Sequence, residues 1–158
     1  MIYESKDDFL KQIATLEKFK VLGVDFGEKK SGLAIYNSEI RMAMPTEIFR
    51  DIEQNLESLV MLIREKRIDA IIIGLPLKLD GSTTINTKAI VKFAEDLGDK
   101  LDIPIILSDE RCTTSLANTL LKEANVKRKK RNQIDDVVAA CILLENFFGR
   151  MNSSAPNY

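Results

Sequence analysis

The sequence predicts an α/β fold: a five-stranded mixed sheet with helices on both faces. Three observations carry that expectation. Two short apolar runs, Lys20 to Phe26 (KVLGVDF) and Gly32 to Tyr36 (GLAIY), are separated only by polar residues too few for a helix, so they form a hairpin. Downstream, apolar residues at helical spacing alternate with two buried-strand runs, Asp69 to Gly74 (DAIIIG) and Ile103 to Ser108 (IPIILS). Antiparallel strands followed by helix-linked strands give a mixed sheet covered by helices.

The elements follow in order. Ser5 with Asp8 resembles a capping box, and Phe9, Ile13 and Leu16 continue at helical spacing, so residues 5–18 form an amphipathic leading helix. The hairpin comes next, and a third strand within 40–49 completes a meander, with Pro45 suiting an edge or strand end. From Asp51 the period becomes helical through Ile52, Leu56, Leu59, Val60 and Ile63 to about Lys66. The strand at 69–74 leads into the loop LPLKLDGS at 75–82, then a helix over 83–98 with Gly98 at its end. After the strand at 103–108, helices at about 113–124 and 133–149 close the chain, and the tail Asn152 to Tyr158 frays. This divides the chain into a helical extension (1–19), one domain (20–150) and a flexible tail (151–158).

At 158 residues the chain is long enough for one full core, and its 45% hydrophobic and 30% charged residues are those of an ordinary globular protein. There is no histidine. Histidine-dependent triads, imidazole zinc sites and histidine general bases are thereby excluded. Any chemistry falls to carboxylates, amines, hydroxyls, thiols, backbone groups or a metal held by oxygen. Cys112 and Cys141 form neither a disulfide framework nor a CxxC site, so they are expected as buried thiols in a reducing cytosol. The longest apolar runs fall far below the ~18 residues of a membrane span. The N-terminus lacks a signal-peptide core, which gives a cytoplasmic protein with no membrane partner.

Formal charge is −1, yet the segment Arg111 to Arg131 holds seven basic residues against one acidic. A basic patch on an acidic chain points to a localised anionic partner. Its densest part, Lys127, Arg128, Lys129, Lys130 and Arg131, directly precedes the last helix. Nucleic-acid contact there is favoured over a solvated loop, with Lys29, Lys30 and Lys78 extending the patch.

Three carboxylates stand out. Asp25 ends the first strand of the hairpin, Glu110 lies just past the last strand, where α/β ligand sites collect, and Asp136 sits in the first turn of the last helix. If the first and last strands are neighbours and that helix crosses them, the three converge. Clustered carboxylates repel unless a divalent cation neutralises them, and an all-oxygen set suits Mg²⁺ or Mn²⁺. Two such ions ~3.5–4 Å apart support phosphodiester cleavage without histidine. Each residue also has a purely structural reading: a turn at Asp25, a surface ion pair between Glu110 and Arg111, a helix-dipole interaction at Asp136. Asp135, at N3 behind Asn132, is assigned to capping, and adjacent helical residues diverge by ~100°. Ala139 and Ala140, one turn on, let that face of the helix approach the sheet closely.

Four segments, VLGVDFGEKKSGLAI at 21–35, IIIGLPLKLDGS at 71–82, DERCTT at 109–114 and IDDVVAACILLENFF at 134–148, together resemble the bacterial YqgF family, also called RuvX. Members carry the names Holliday junction resolvase and pre-16S rRNA nuclease, and the family is similar in fold to RuvC and ribonuclease H. The resemblance covers about residues 20–149. It implies a ribonuclease H-like sheet and a nuclease in which Asp25, Glu110 and Asp136 bind one or two Mg²⁺ or Mn²⁺ ions. Lys29 takes the basic position after the first-strand aspartate, and Arg111 is the arginine of DER, contacting phosphate. Glu28 stands where the family commonly has threonine, Lys78 where asparagine is common, and Leu116 where a glutamate often follows DER. A fourth ligand is Asp109, Glu28 or none.

The expected substrate is structured ribosomal-precursor RNA, with a four-way DNA junction, cut by a symmetric homodimer, as the alternative. A binding module without catalysis is the rival of another class. With no imidazole present, the pH dependence of cleavage should follow metal-activated water.

Overall fold

The computed structural model describes residues 1–27, 29–75, 86–109 and 137–149. Six strands form one sheet in the order β1-β6-β5-β2-β3-β4: β1 Ile2–Tyr3, β2 Lys20–Asp25, β3 Lys30–Asn37, β4 Met42–Arg50, β5 Ala70–Leu75 and β6 Ile105–Asp109. β2 pairs antiparallel with β3 and parallel with β5, and β5 and β6 are also parallel. The sheet is therefore mixed, as the sequence requires. β5 reads as an unbroken apolar run because it is buried on both faces: Ala70, Ile71, Ile72 and Ile73 are all inaccessible to solvent.

Helices cover both faces. On one lie α2 (Leu56–Glu65) and α3 (Asn86–Lys100), whose Leu59, Ile63, Ile90, Phe93 and Leu97 pack against Leu22, Val24, Leu33, Ile71 and Ile73. On the other lie α1 (Lys6–Ile13) and α4, helical over 137–144 and widening into a π turn at Glu145–Gly149. Phe9, Ile13, Ala140, Leu143, Leu144, Phe147 and Phe148 pack there against Val21, Ala34, Tyr36 and Ile72.

The structure departs from the sequence expectations at identifiable places. The sixth strand is β1, whose two residues pair with Ile105 and Ile106. Two residues carry too little pattern to be legible. The leading helix ends at Ile13, not residue 18, because the chain turns back toward β2 and leaves Leu16 42% exposed. The helix expected from Asp51 begins at Leu56: Asp51 has φ +49°, outside helical space, and Ile52 is buried from a turn. Gly98 does not end α3, which continues through Lys100, and a Cβ there would meet only Ile105 Cδ1 at 3.9 Å. Pro45 sits on edge strand β4 at a bulge, where the register passes from Leu33–Glu47 to Ala34–Pro45. The helix expected at 113–124, most of the loop expected at 75–82, the first residues of the helix expected at 83–98 and the tail lie outside the described residues.

Among the described residues, no helix is long and apolar enough to cross a membrane. Cys141 is half-buried and unpaired, while Cys112 lies outside the described residues.

Candidate active site

The parallel strands β2, β5 and β6 end together. Asp25 is in register with Gly74, and Leu75 with Asp109, so three carboxyl ends line one end of the sheet. Open α/β sheets place their ligand sites at this end. Asp25, half-buried, closes β2 there.

Strand alternation puts Asp25 on the face of Val21 and Gly23, which is the face that α4 covers. A Cβ on Gly23 would lie 2.6 Å from Leu144 Cγ, so only glycine admits the helix at this distance. Phe148 stacks on Tyr36, the neighbour of Val21, with centroids 4.2 Å apart. α4 therefore runs antiparallel to β2, its N-terminal end toward Asp25. One helical turn before Leu144 covers ~6 Å, nearly the ~6.6 Å from Gly23 to Asp25, which brings the buried Ala140 level with the carboxylate. Ala139 and Ala140 permit the close approach that their size predicts.

The turn after Asp25 is fixed by its own backbone. A Cβ on Gly27 would come within 2.1 Å of the Lys30 carbonyl oxygen. Ser31, fully buried, accepts a hydrogen bond from the Gly27 N–H at 3.1 Å. Phe26 points to the opposite face, against Phe93 at 5.3 Å. The exposed Lys29 is tied through its carbonyl to the Asp51 N–H at 2.8 Å.

Of the residues assigned from sequence, Asp25, Lys29 and Lys30 occupy this end of the sheet. Glu110, Arg111, Asp136, Lys127, Arg128, Lys129, Lys130 and Arg131 lie outside the described residues, as does Glu28. Glu110 follows Asp109, the last residue of β6, and Asp136 precedes the first described residue of α4. Among the described residues, no three Asp, Glu, Cys or His side chains gather as a metal site. The donor chemistry nonetheless suits a hard divalent cation: Asp25 offers carboxylate oxygen at a strand end, and the two companions assigned to it are carboxylates. Sequence reasoning placed Gly23 on the face of Asp25 without assigning it the contact with Leu144. The signal was there, since glycine inside an apolar strand marks a close approach.

A mixed sheet with a carboxylate at the end of its central strand and helices on both faces is the ribonuclease H-like arrangement of the RuvC nucleases. Two solved structures share it: Thermus thermophilus RuvC in complex with Holliday junction substrate (TM-score 0.52, 13% identity, 85% of this chain and 97% of that one) and the fowlpox virus resolvase with its junction DNA (TM-score 0.51, 15% identity, 87% and 99%). At those identities the likeness is one of fold. Residues 19–150 match the family described as "RuvX: Holliday junction resolvase", and the chain belongs to that family of nucleases, hydrolases of phosphodiester bonds. A protein of Orientia tsutsugamushi (strain Ikeda) named "Putative pre-16S rRNA nuclease" is 48% identical over 98% of both chains. One of the same name from Rickettsia africae (strain ESF-5) is 39% identical over 92% of this chain and 94% of its own.

Proposed function

We propose that this chain is a divalent-metal-dependent endonuclease that processes the 5′ end of pre-16S rRNA. The observation that carries the reading is the position of Asp25: at the carboxyl end of the central strand, beside the ends of β5 and β6 and toward the N-terminal end of α4. The two other assigned carboxylates adjoin described ends of this arrangement by one peptide bond each, Glu110 after β6 and Asp136 before α4.

Asp25, Glu110 and Asp136 hold Mg²⁺ or Mn²⁺, which supplies Lewis-acid activation of the attacking water and stabilisation of the leaving oxygen. Lys29, Lys30 and Arg111 hold backbone phosphates at the site, and the run 127–131 binds the nucleic acid beside it through counterion release. Relatives sharing nearly the full length carry the rRNA-processing name, which favours RNA over the four-way DNA junction named by the family description. A ribosomal-precursor substrate places the protein in the cytoplasm.

The test offers purified protein two labelled substrates, pre-16S leader RNA and a synthetic four-way junction, each with Mg²⁺, Mn²⁺ or chelator. Metal-dependent cleavage of the RNA, lost in Asp25→Asn and Asp136→Asn with unchanged melting, upholds the reading. Cleavage of the junction alone, by a dimer, transfers it to resolution. Cleavage of neither, with binding intact in Asp25→Asn, identifies a binding module.

A further inference from the structure

Lys30 and Arg50 are direct cross-strand partners at the end of the β3–β4 ladder. Directly opposite residues of a strand pair hold their Cβ atoms about 5 Å apart, so the two cationic side chains leave the sheet side by side. The register also fixes their face. Asp25 is paired with Gly32 and Gly32 with Ile48, so these three share a face, and Lys30 and Arg50, two residues along from Gly32 and Ile48, share it too. The cationic pair therefore stands on the side of the sheet that carries the Asp25 carboxylate. Two strand spacings and two residues separate the Cα atoms of Asp25 and Arg50, about 12 Å.

The backbone around the pair is held from both sides. The Lys30 carbonyl lies against Gly27, where no Cβ fits. Beyond Arg50 the chain turns at Asp51, in the left-handed region at φ +49°, and the Asp51 N–H donates to the Lys29 carbonyl at 2.8 Å. Asn55 does not cap its helix with its side chain. Its Nδ2 instead donates to the carbonyls of Arg50, at 3.2 Å, and Asp51, at 3.0 Å. A left-handed non-glycine residue held by two of these hydrogen bonds, with the third on the Arg50 carbonyl, fixes where β4 ends, and so keeps Arg50 opposite Lys30. Arg50 is exposed and Lys30 half-exposed, so both reach solvent.

We propose that Lys30 and Arg50 together bind a backbone phosphate of the nucleic acid, one neighbouring the phosphate that is cut. The anion bridges two side chains that the register sets side by side, and the track it defines runs from Asp25 across β3 to the β4 edge. This deepens the nuclease reading and rests on it for the identity of the ligand. Asn55 acts as a positioning residue through the backbone of Arg50.

Binding is measured in an Asp25→Asn background, with pre-16S leader RNA as probe, over a series of salt concentrations. Arg50→Ala and Lys30→Ala should each make the slope of log K against log salt shallower by ~0.7–0.9, and the double variant by about twice that. Arg50→Lys should keep the slope, because the contact is one of charge. Lys18→Ala, an exposed cation at the opposite end of the sheet, should leave it unchanged, and each variant is checked for unaltered melting. Slopes equal to the parent's in Arg50→Ala and Lys30→Ala overturn the proposal, as does an equal loss in Lys18→Ala or failure of the parent to bind. The expected slopes without cleavage by the wild-type chain uphold the phosphate site and overturn the nuclease reading alone.

Discussion

Leu144 occupies the place a side chain would take on residue 23: a Cβ on Gly23 would lie 2.6 Å from its Cγ and 2.9 Å from its Cδ1. The contact sets how deeply α4 sits on β2, and so how near the N-terminal end of that helix comes to Asp25. Gly23→Val should therefore destabilise the chain by ~1–3 kcal/mol through overpacking and lower cleavage by lifting the helix. Adding Leu144→Ala should restore part of the stability. A urea-unfolding double-mutant cycle measures this, and strict additivity would show that the two side chains do not compete for one space.

The exposed edge of the sheet is closed by a side chain from the same helix. The Ala43 N–H of β4 donates to Glu145 Oε1 at 2.8 Å, and Pro45, two residues on and on the same outer side, has no N–H to offer. Glu145→Ala leaves a half-buried donor unsatisfied, at a cost of ~1–3 kcal/mol. Glu145→Gln retains an acceptor and should cost less. The double variant Glu145→Ala, Pro45→Ala reopens the strand to pairing, so light scattering should show association that grows with protein concentration; a persistent monodisperse species would refute that account of the edge.

The N-terminal segment belongs to the core that supports α4. Phe9 is fully buried, with its ring edge-on to Phe147 at 5.6 Å and to Tyr3 at 6.0 Å. The Lys6 ammonium lies 4.5 Å from the centre of the Phe147 ring. Phe9→Ala should cost ~3–5 kcal/mol by chemical denaturation, within the range for large-to-small aromatic changes in cores. Phe9→Leu should cost markedly less, and a loss below ~1 kcal/mol in Phe9→Ala would mean that α1 is not integral to the fold.

What the sequence made legible follows from how each feature is encoded. The runs KVLGVDF and DAIIIG show themselves because strands buried on both faces need continuous apolar residues, and Asp25 was visible as the one charge closing such a run. β1 was hidden because two residues have no periodicity. The late start of α2 was hidden because Ile52 satisfies the helical period while being buried from a turn. Arg50 was hidden for a different reason: its meaning depends on the register of β4 against β3, which the bulge at Leu33/Ala34 shifts by one residue, and no local pattern reveals such a shift.

Cys141 tests the environment of α4 by titration. Burial, with a smaller contribution from the Glu145 carboxylate, pushes its thiol up from 9.0 to about 11. The folded chain thus holds this proton more tightly than the unfolded chain. The resulting stability is fully present below pH ~9 and is lost as pH rises through about 11. At pH 8 the thiolate fraction in the fold is on the order of 100-fold below that of the unfolded chain, so alkylation should be slower by a similar factor. The experiment uses Cys112→Ser, which leaves Cys141 as the sole thiol. Iodoacetamide should react slowly at pH 8 and rapidly in denaturant, and adding Glu145→Gln should raise the folded rate by removing the nearby negative charge. Equal rates in the folded and unfolded chains would place Cys141 in water and away from the sheet.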